Sequence, residues 1–370
     1  MSVNAAVQPE WPAQVLRLAF VLAAALGCGF LLTALVSDDP LKAFGTLLTG
    51  AWPEIGWSKD GEFTIRRMTR LGALIEDATT LTLVGLAVAI PFRARQFSMG
   101  ADGQLFVGAL AAATVSLLVE GPSIVILPAA CLAAMTSGFL LGLLPGALKA
   151  RFGTNEIVTT LMLNVIAVQF YRLAITYWLR DPTAGFITTP TLPEAATFTS
   201  LLARTNVTYM ALFSLLAAAA AWLLIKRTTA GYEITLVGEN PKFAAQAGVP
   251  VARATALSMA FGGIFAGLAG FHVSNALLKS LPVDLASGLG FEGIVVALLA
   301  RNNPLAVPLV AVLYAYLRVG AQVMERSTDV TREMVLIIQA FIILFVVAER
   351  FGPAMIANWL ARRAAKESLA

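Results

Sequence analysis

GADGQLFVGAL (residues 100–110) and GFEGIVVALLA (residues 290–300) share one pattern: a glycine, any residue, an acid, a second glycine, then an apolar run. Asp102 and Glu292 hold the acidic position, 190 residues apart. A second pair follows in the same order, TNEIV (154–158) against TREMV (331–335), which aligns Glu156 with Glu333 at a spacing of 177. Short glycine-rich matches arise by chance, but two in the same order mark an internal repeat. The question is why a chain that is only 13% charged sets an acid at the head of an apolar helix.

The composition names the setting. The chain is 58% hydrophobic with a mean hydropathy of +0.78, whereas soluble domains carry about 25% charged residues. A polytopic membrane protein follows. The net charge of +4 then marks loops on the cytoplasmic side rather than a nucleic-acid surface, and no nucleic-acid partner is expected. Cys28 and Cys131 sit inside apolar runs, which offers no disulfide framework or thiolate metal site. His272 is the only histidine, so a histidine-rich metal site cannot be built.

Apolar stretches at 15–36, 71–91, 103–119, 122–146, 156–178, 207–225, 252–271, 288–300, 304–324 and 333–348 predict about ten spans. Those opening at Gly103 and Gly288 are short and start in glycine-rich sequence, as discontinuous helices do. Connections are expected to be brief except for an outer loop at 37–70 and an inner one at 226–251. The predicted fold is an all-α membrane protein of about ten transmembrane helices, some short or broken. Its single transmembrane domain covers 15–350, between an N-terminus of 1–14 and a tail of 351–370. ALGC ending at Cys28 resembles a lipoprotein signal, but GFLLTALV continues the apolar run with no polar tether, so an uncleaved first span is expected.

Arg93, Arg95, Lys149, Arg151, Lys226, Arg227, Lys242, Arg253, Arg301, Arg350, Arg362, Arg363 and Lys366 fall on one side of a ten-span arrangement. That side, with both termini, is expected to be cytoplasmic. Five spans then separate the members of each repeat pair, and an odd number reverses direction. The repeat is therefore predicted to have inverted topology.

A carboxylate at mid-bilayer costs about 2.5–3.5 kcal/mol, and a helix N-terminus returns only about 0.3–1 kcal/mol, or ~2 when partly buried. Asp102 therefore needs an interface, a wet cavity or a cation, with Arg93 and Arg95 as candidates. Either it ties down a helix start or it meets a solute. Asn155 and Glu156, at the head of another span, carry the same two readings. Asn164 and Gln169 suit hydrogen bonding between helices or a polar path. Asp102, Asn155, Glu156, Asn164 and Glu292 are the candidate path residues. Arg172 and Arg318 are expected to snorkel.

In TTAGYEITLVGENPKFAAQAGVP (228–250), Asn240 suits a cap, Pro241 a first helical position and Gly248 the left-handed residue after the end. The helix predicted from Pro241 to Ala247 is too short to stand alone. It lies on its own protein or is gripped by a partner.

FSMGADGQ, TNEIVTTLMLN, GENPKFAAQAGV and GFEGIVVALLA, in this order, resemble the permease subunits of bacterial ABC importers of the branched-chain amino acid, ribose and simple-sugar type. The nucleoside-import branch is the most similar, although FSMGADGQ departs from its FNIGAEGQ. The resemblance covers residues 15–350 and implies a conduit in the bacterial inner membrane, with alternating access driven by a separate ATPase. It implies that Gly238, Glu239, Asn240, Pro241, Ala244, Ala245 and Gly248 belong to a coupling helix contacting that ATPase. It also implies a second, homologous permease chain and a periplasmic or lipid-anchored binding protein. The solute would be a nucleoside or simple sugar.

The chain has no G-x-x-x-x-G-K-[ST], so ATP and magnesium belong to the partner and no cofactor is expected here. It has no H-E-x-x-H and no G-x-S-x-G, and a non-catalytic subunit is expected. Two alternatives stay open. One is an ion- or proton-coupled secondary transporter using the buried acids. The other is an intramembrane hydrolase built on Ser258 and His272.

Overall fold

In the computed structural model, residues 26–52, 54–57, 63–66, 68–202, 205–285, 288–331, 333–341 and 344 are described. The chain divides into two compact units, residues 53–316 and residues 1–52 with 317–370.

The first unit is built around two helices that touch backbone to backbone. α5 (Ser123–Phe152) buries Ile126, Ala130, Ala134, Gly138, Gly142 and Gly146, one residue every four. α10 (Val251–Phe271) answers with the same spacing at Met259, Gly263 and Gly267. A Cβ at Gly138 would collide with the Gly263 carbonyl, one at Gly263 with the Gly138 carbonyl, and one at Gly267 with the Ala134 carbonyl. Small residues four apart let helix backbones approach in a bilayer, where lipid removes the hydrophobic drive for helices to associate.

α10 is also covered on its other sides. α4 (Ala101–Leu118) meets it at Gly108, whose Cβ would lie 2.6 Å from Gly267 Cα. α3 (Met68–Arg93) meets it where Ala87 approaches Gly262. α6 (Glu156–Tyr177), α7 (Met210–Arg227), α8 (Thr229–Glu239), α9 (Pro241–Gln246) and α11 (Leu289–Leu299) complete this unit with the first part of α12 (Val307–Ser327). Seven helices are long and apolar enough to span a membrane among the described residues. α11 and α1 (Leu26–Val36) are shorter. The ten predicted stretches are compatible with this set. Residues 15–25 of the first span and 342, 343 and 345–348 of the last lie outside the described residues, as do 1–14 and 349–370.

The second unit comprises α1, α2 (Pro40–Thr49), the end of α12 and α13 (333–341). Its core is Ala43, Leu47, Ala321, Met324, Val330, Val335 and Ile338. Asp329 closes the α1–α2 corner, accepting from the Ser37 hydroxyl at 2.7 Å and the Asp38 N–H at 2.7 Å.

Two expectations about connections are corrected. Residues 37–70 are not a plain loop: Asp39 caps α2 by accepting from the Lys42 N–H, and β1 (Glu54–Trp57) pairs antiparallel with β2 (Phe63–Arg66). The hairpin is the one sheet among the described residues. A second correction concerns the connection from α6 to α7, which is long rather than brief. It is strapped to the segment after α10: Thr189 N–H donates to Leu281 O at 3.0 Å, Val283 N–H to Ile187 O at 3.0 Å and Leu192 N–H to Lys279 O at 2.8 Å. These bonds join residues about ninety apart, so no local pattern announces them. Within the strap, the Thr183 hydroxyl and N–H hold the Asp181 carboxyl below its ordinary range.

Because the α5–α10 contact has no room for a side chain, Gly138→Val should cost more than the ~1–3 kcal/mol usual for overpacking. Leu140→Ala, on an exposed position of the same helix, should stay within about 0.5 kcal/mol. Thermal unfolding of the detergent-solubilised protein checks both.

Candidate functional site

The two repeat segments open helices that begin at one point. α4 has Gly100 as its N-cap and α11 has Gly288, and neither glycine has a side chain to cap with. Each helix start is satisfied from elsewhere. Asp102, the second residue of α4, accepts the Gly290 N–H through Oδ1 at 2.7 Å and also takes the Gly288 N–H. The carboxylate thus lies at the N-terminal ends of two helices. Gly290 is needed there because a Cβ would stand 2.9 Å from Asp102 N.

These bonds account for a buried acid. A hydrogen bond to a charged group contributes about 1.5–3 kcal/mol, so two N–H donors offset a burial cost of about 2.5–3.5 kcal/mol that one helix dipole does not. Neither predicted cation is the partner found. Arg93 donates through Nε to the Asn302 carbonyl at 2.9 Å, and Arg95 is exposed.

α4 is held by α6. Glu156, Thr160 and Asn164 stand four residues apart on one face of α6, toward the start of α4 and the segment leading into it. Thr160 accepts from Met99 at 3.2 Å and Asn164 Oδ1 from Gly103 at 2.8 Å, while Glu156 lies near the Phe97 backbone. Asn164 Nδ2 donates back to the Met99 carbonyl. The ladder is legible as polar residues at i, i+4 and i+8 in TNEIVTTLMLN, but sequence reasoning missed Thr160 because threonine is common in membrane helices. Glu156 also pairs with Lys149 Nζ at 2.8 Å, and Asn155 caps α6 by accepting the Ile157 N–H at 2.9 Å. Glu292 is the fourth residue of α11 and half-buried, so the two acids of the repeat do not occupy equivalent places.

The capped loop helix is α9. Asn240 accepts from the Lys242 and Phe243 N–H groups, both at 3.1 Å, and Gly248 follows the end at φ +82. Its faces differ from expectation in one respect. Ala244 is fully buried against Val237 and Ala254, while Phe243 is 55% exposed and Ala245 points outward. Gly238 is buried against the Arg93 carbonyl, and Glu239, Asn240 and Pro241 are exposed.

Other residues fall elsewhere. Arg172 pairs with Asp284 at 3.3 Å rather than only snorkelling. Ser258 donates to the Thr255 carbonyl at 2.7 Å, and it stands fourteen residues before His272 at the end of α10, about 20 Å at 1.5 Å per residue. That separation excludes a nucleophile–base pair. Sequence reasoning also missed Glu76 and Asp77, two acids in the apolar run of α3, although an ionisable residue in a span is itself a functional signal.

The chain is a multi-pass membrane protein in which some apolar helices are short. Residues 71–347 match the family described as branched-chain amino acid transport system / permease component, and the chain belongs to it. It is 38% identical to the guanosine ABC transporter permease protein NupP of Bacillus subtilis, over 75% of this chain and 80% of that one. It is 32% identical to the glucose ABC transporter permease protein TsgB13 of Haloferax volcanii, over 93% and 89%. A third relative, at 29% over 75% and 78%, is the nucleoside ABC transporter permease protein NupB of Lactococcus lactis. Membership makes the chain a permease subunit of an ABC importer and sets aside the ion-coupled and hydrolase alternatives.

Asp102→Leu should leave the Gly288 and Gly290 N–H groups unpaired at a buried position, at about 1–3 kcal/mol each. Asp102→Asn keeps an acceptor and should lose less. Melting temperatures of the two purified variants should show the larger fall for the leucine.

Proposed function

We propose that this chain carries a nucleoside or simple sugar across the bacterial inner membrane, with both termini cytoplasmic. A separate ATPase, a second homologous permease chain and a periplasmic or lipid-anchored binding protein complete the importer. Asp102, Asn164 and Glu292 frame the path where α4 and α11 begin, and Asn155 and Glu156 stand at its cytoplasmic side. The named activities of the relatives support the solute class, and the basic residues beside the spans support the orientation.

The observation that carries the coupling role is α9. It is six residues long and capped at both ends, and it rests on its own protein through Ala244 while presenting Phe243 outward. An exposed aromatic on a rigid short helix suits a groove in a partner. ATP binding and hydrolysis in the ATPase would move α9, and α8 and α10 would transmit the motion to the spans.

Phe243→Asp and Ala245→Arg should leave the permease folded but abolish co-purification of the ATPase, or reduce solute-stimulated hydrolysis at least tenfold. Ala244→Arg should instead destabilise the permease itself, because its side chain enters the Val237–Ala254 cluster. Normal association and hydrolysis in both exposed-face variants would remove α9 from the coupling path.

A further inference from the structure

α10 does not end as it begins. From His272 to Leu278 it widens into a π-helical turn, closed by Lys279 at φ +57. Such turns are rare and recur at functional sites. This one carries three buried polar residues, His272, Ser274 and Asn275.

Two of the three are fully engaged. Ser274 donates to Asn275 Oδ1, and Asn275 Nδ2 donates to Ser116 Oγ at 2.7 Å and to the Ala196 carbonyl at 2.8 Å. His272 is 2% exposed, yet neither Nδ1 nor Nε2 has a hydrogen-bond partner. The ring lies beside the Glu76 backbone without reaching hydrogen-bond geometry.

The neighbouring groups on α3 are committed elsewhere. The Thr79 and Thr80 hydroxyls donate to the Ile75 and Glu76 carbonyls, and the Glu76 carboxyl lies near the Asn206 backbone. No group of His, Cys, Asp and Glu able to hold a metal occurs among the described residues. An apolar ring of similar size would fill the same space without leaving two polar atoms desolvated.

We propose that His272 is a solute-contact residue, whose ring gives one donor and one acceptor to the polar edge of the transported solute when the ends of α3 and α10 part. A neutral imidazole has one N–H and one lone pair. Adjacent donor and acceptor groups on a nucleobase edge, or a pair of sugar hydroxyls, match it. The inference rests on the proposed solute class and deepens it by naming the contact.

His272 is the chain's only histidine, so selective nitrogen-15 labelling of the permease gives one imidazole spin system when it is assembled with unlabelled partners and carries a tag without histidine. Guanosine, ribose and glucose are titrated separately, with sucrose as control. A saturable shift of the ring nitrogens with guanosine identifies a base edge, and one with ribose or glucose identifies a diol. His272→Phe should fold at least as well as wild type but raise the KM for import roughly tenfold, about one lost hydrogen bond, and His272→Gln should recover part of it.

Import by the wild type separates the two readings. If the wild-type complex imports neither nucleoside nor sugar, the solute class is wrong. If it imports one of them while the imidazole signal is indifferent to that solute and His272→Phe imports with unchanged KM, the ring holds only a bound water or a structural place and the proposal is overturned.

Discussion

Inside a bilayer there is no water to take the N–H groups at the start of a helix, so a helix that begins within the membrane must be capped by protein. α4 and α11 both begin at glycines that offer no cap. Asp102 serves α11 from α4, and Asn164 serves α4 from α6. Through these bonds three helices are tied at one point by two side chains. The arrangement of the neighbouring polar groups follows from it: Thr160 holds the approach to α4, and Lys149 holds Glu156 one turn before it.

The same point connects to the α5–α10 stripe. α4 lies on α10 at Gly108, and α10 lies on α5 at Gly263 and Gly267. Contacts of this kind are rigid because backbone meets backbone, so movement at either end is carried along the helix rather than absorbed by side chains. α10 has the loop helix α9 just before its start and the π turn at its other end. It therefore joins the proposed ATPase contact to the proposed solute contact.

Much of the candidate site was legible. The G-x-acid-G repeat pointed to Asp102, the caps of α9 could be read residue by residue, and the four-residue polar spacing of α6 was visible though only partly used. The burial of Ala244 was not, because a six-residue helix has too few turns for a pattern to tell inside from outside. Glu76 with Asp77 and the π turn escaped for different reasons: the first are two adjacent acids within an otherwise apolar run, and the second has no sequence signature.

Hydropathy, glycine spacing and capping residues determined by themselves that this is a helical membrane protein, where its apolar stretches lie and which short loop helix it presents, because these depend on residues within a few positions of one another. Only the tertiary structure decided which donor each buried acceptor takes. Asp102 finds Gly290 from 188 residues away, and the α6–α7 strap finds the end of α10 at a separation of about ninety. Nothing local distinguishes those partners from Arg93 or Arg95, since the choice is made by which helix starts the packing of α5, α10 and α4 brings within hydrogen-bond reach.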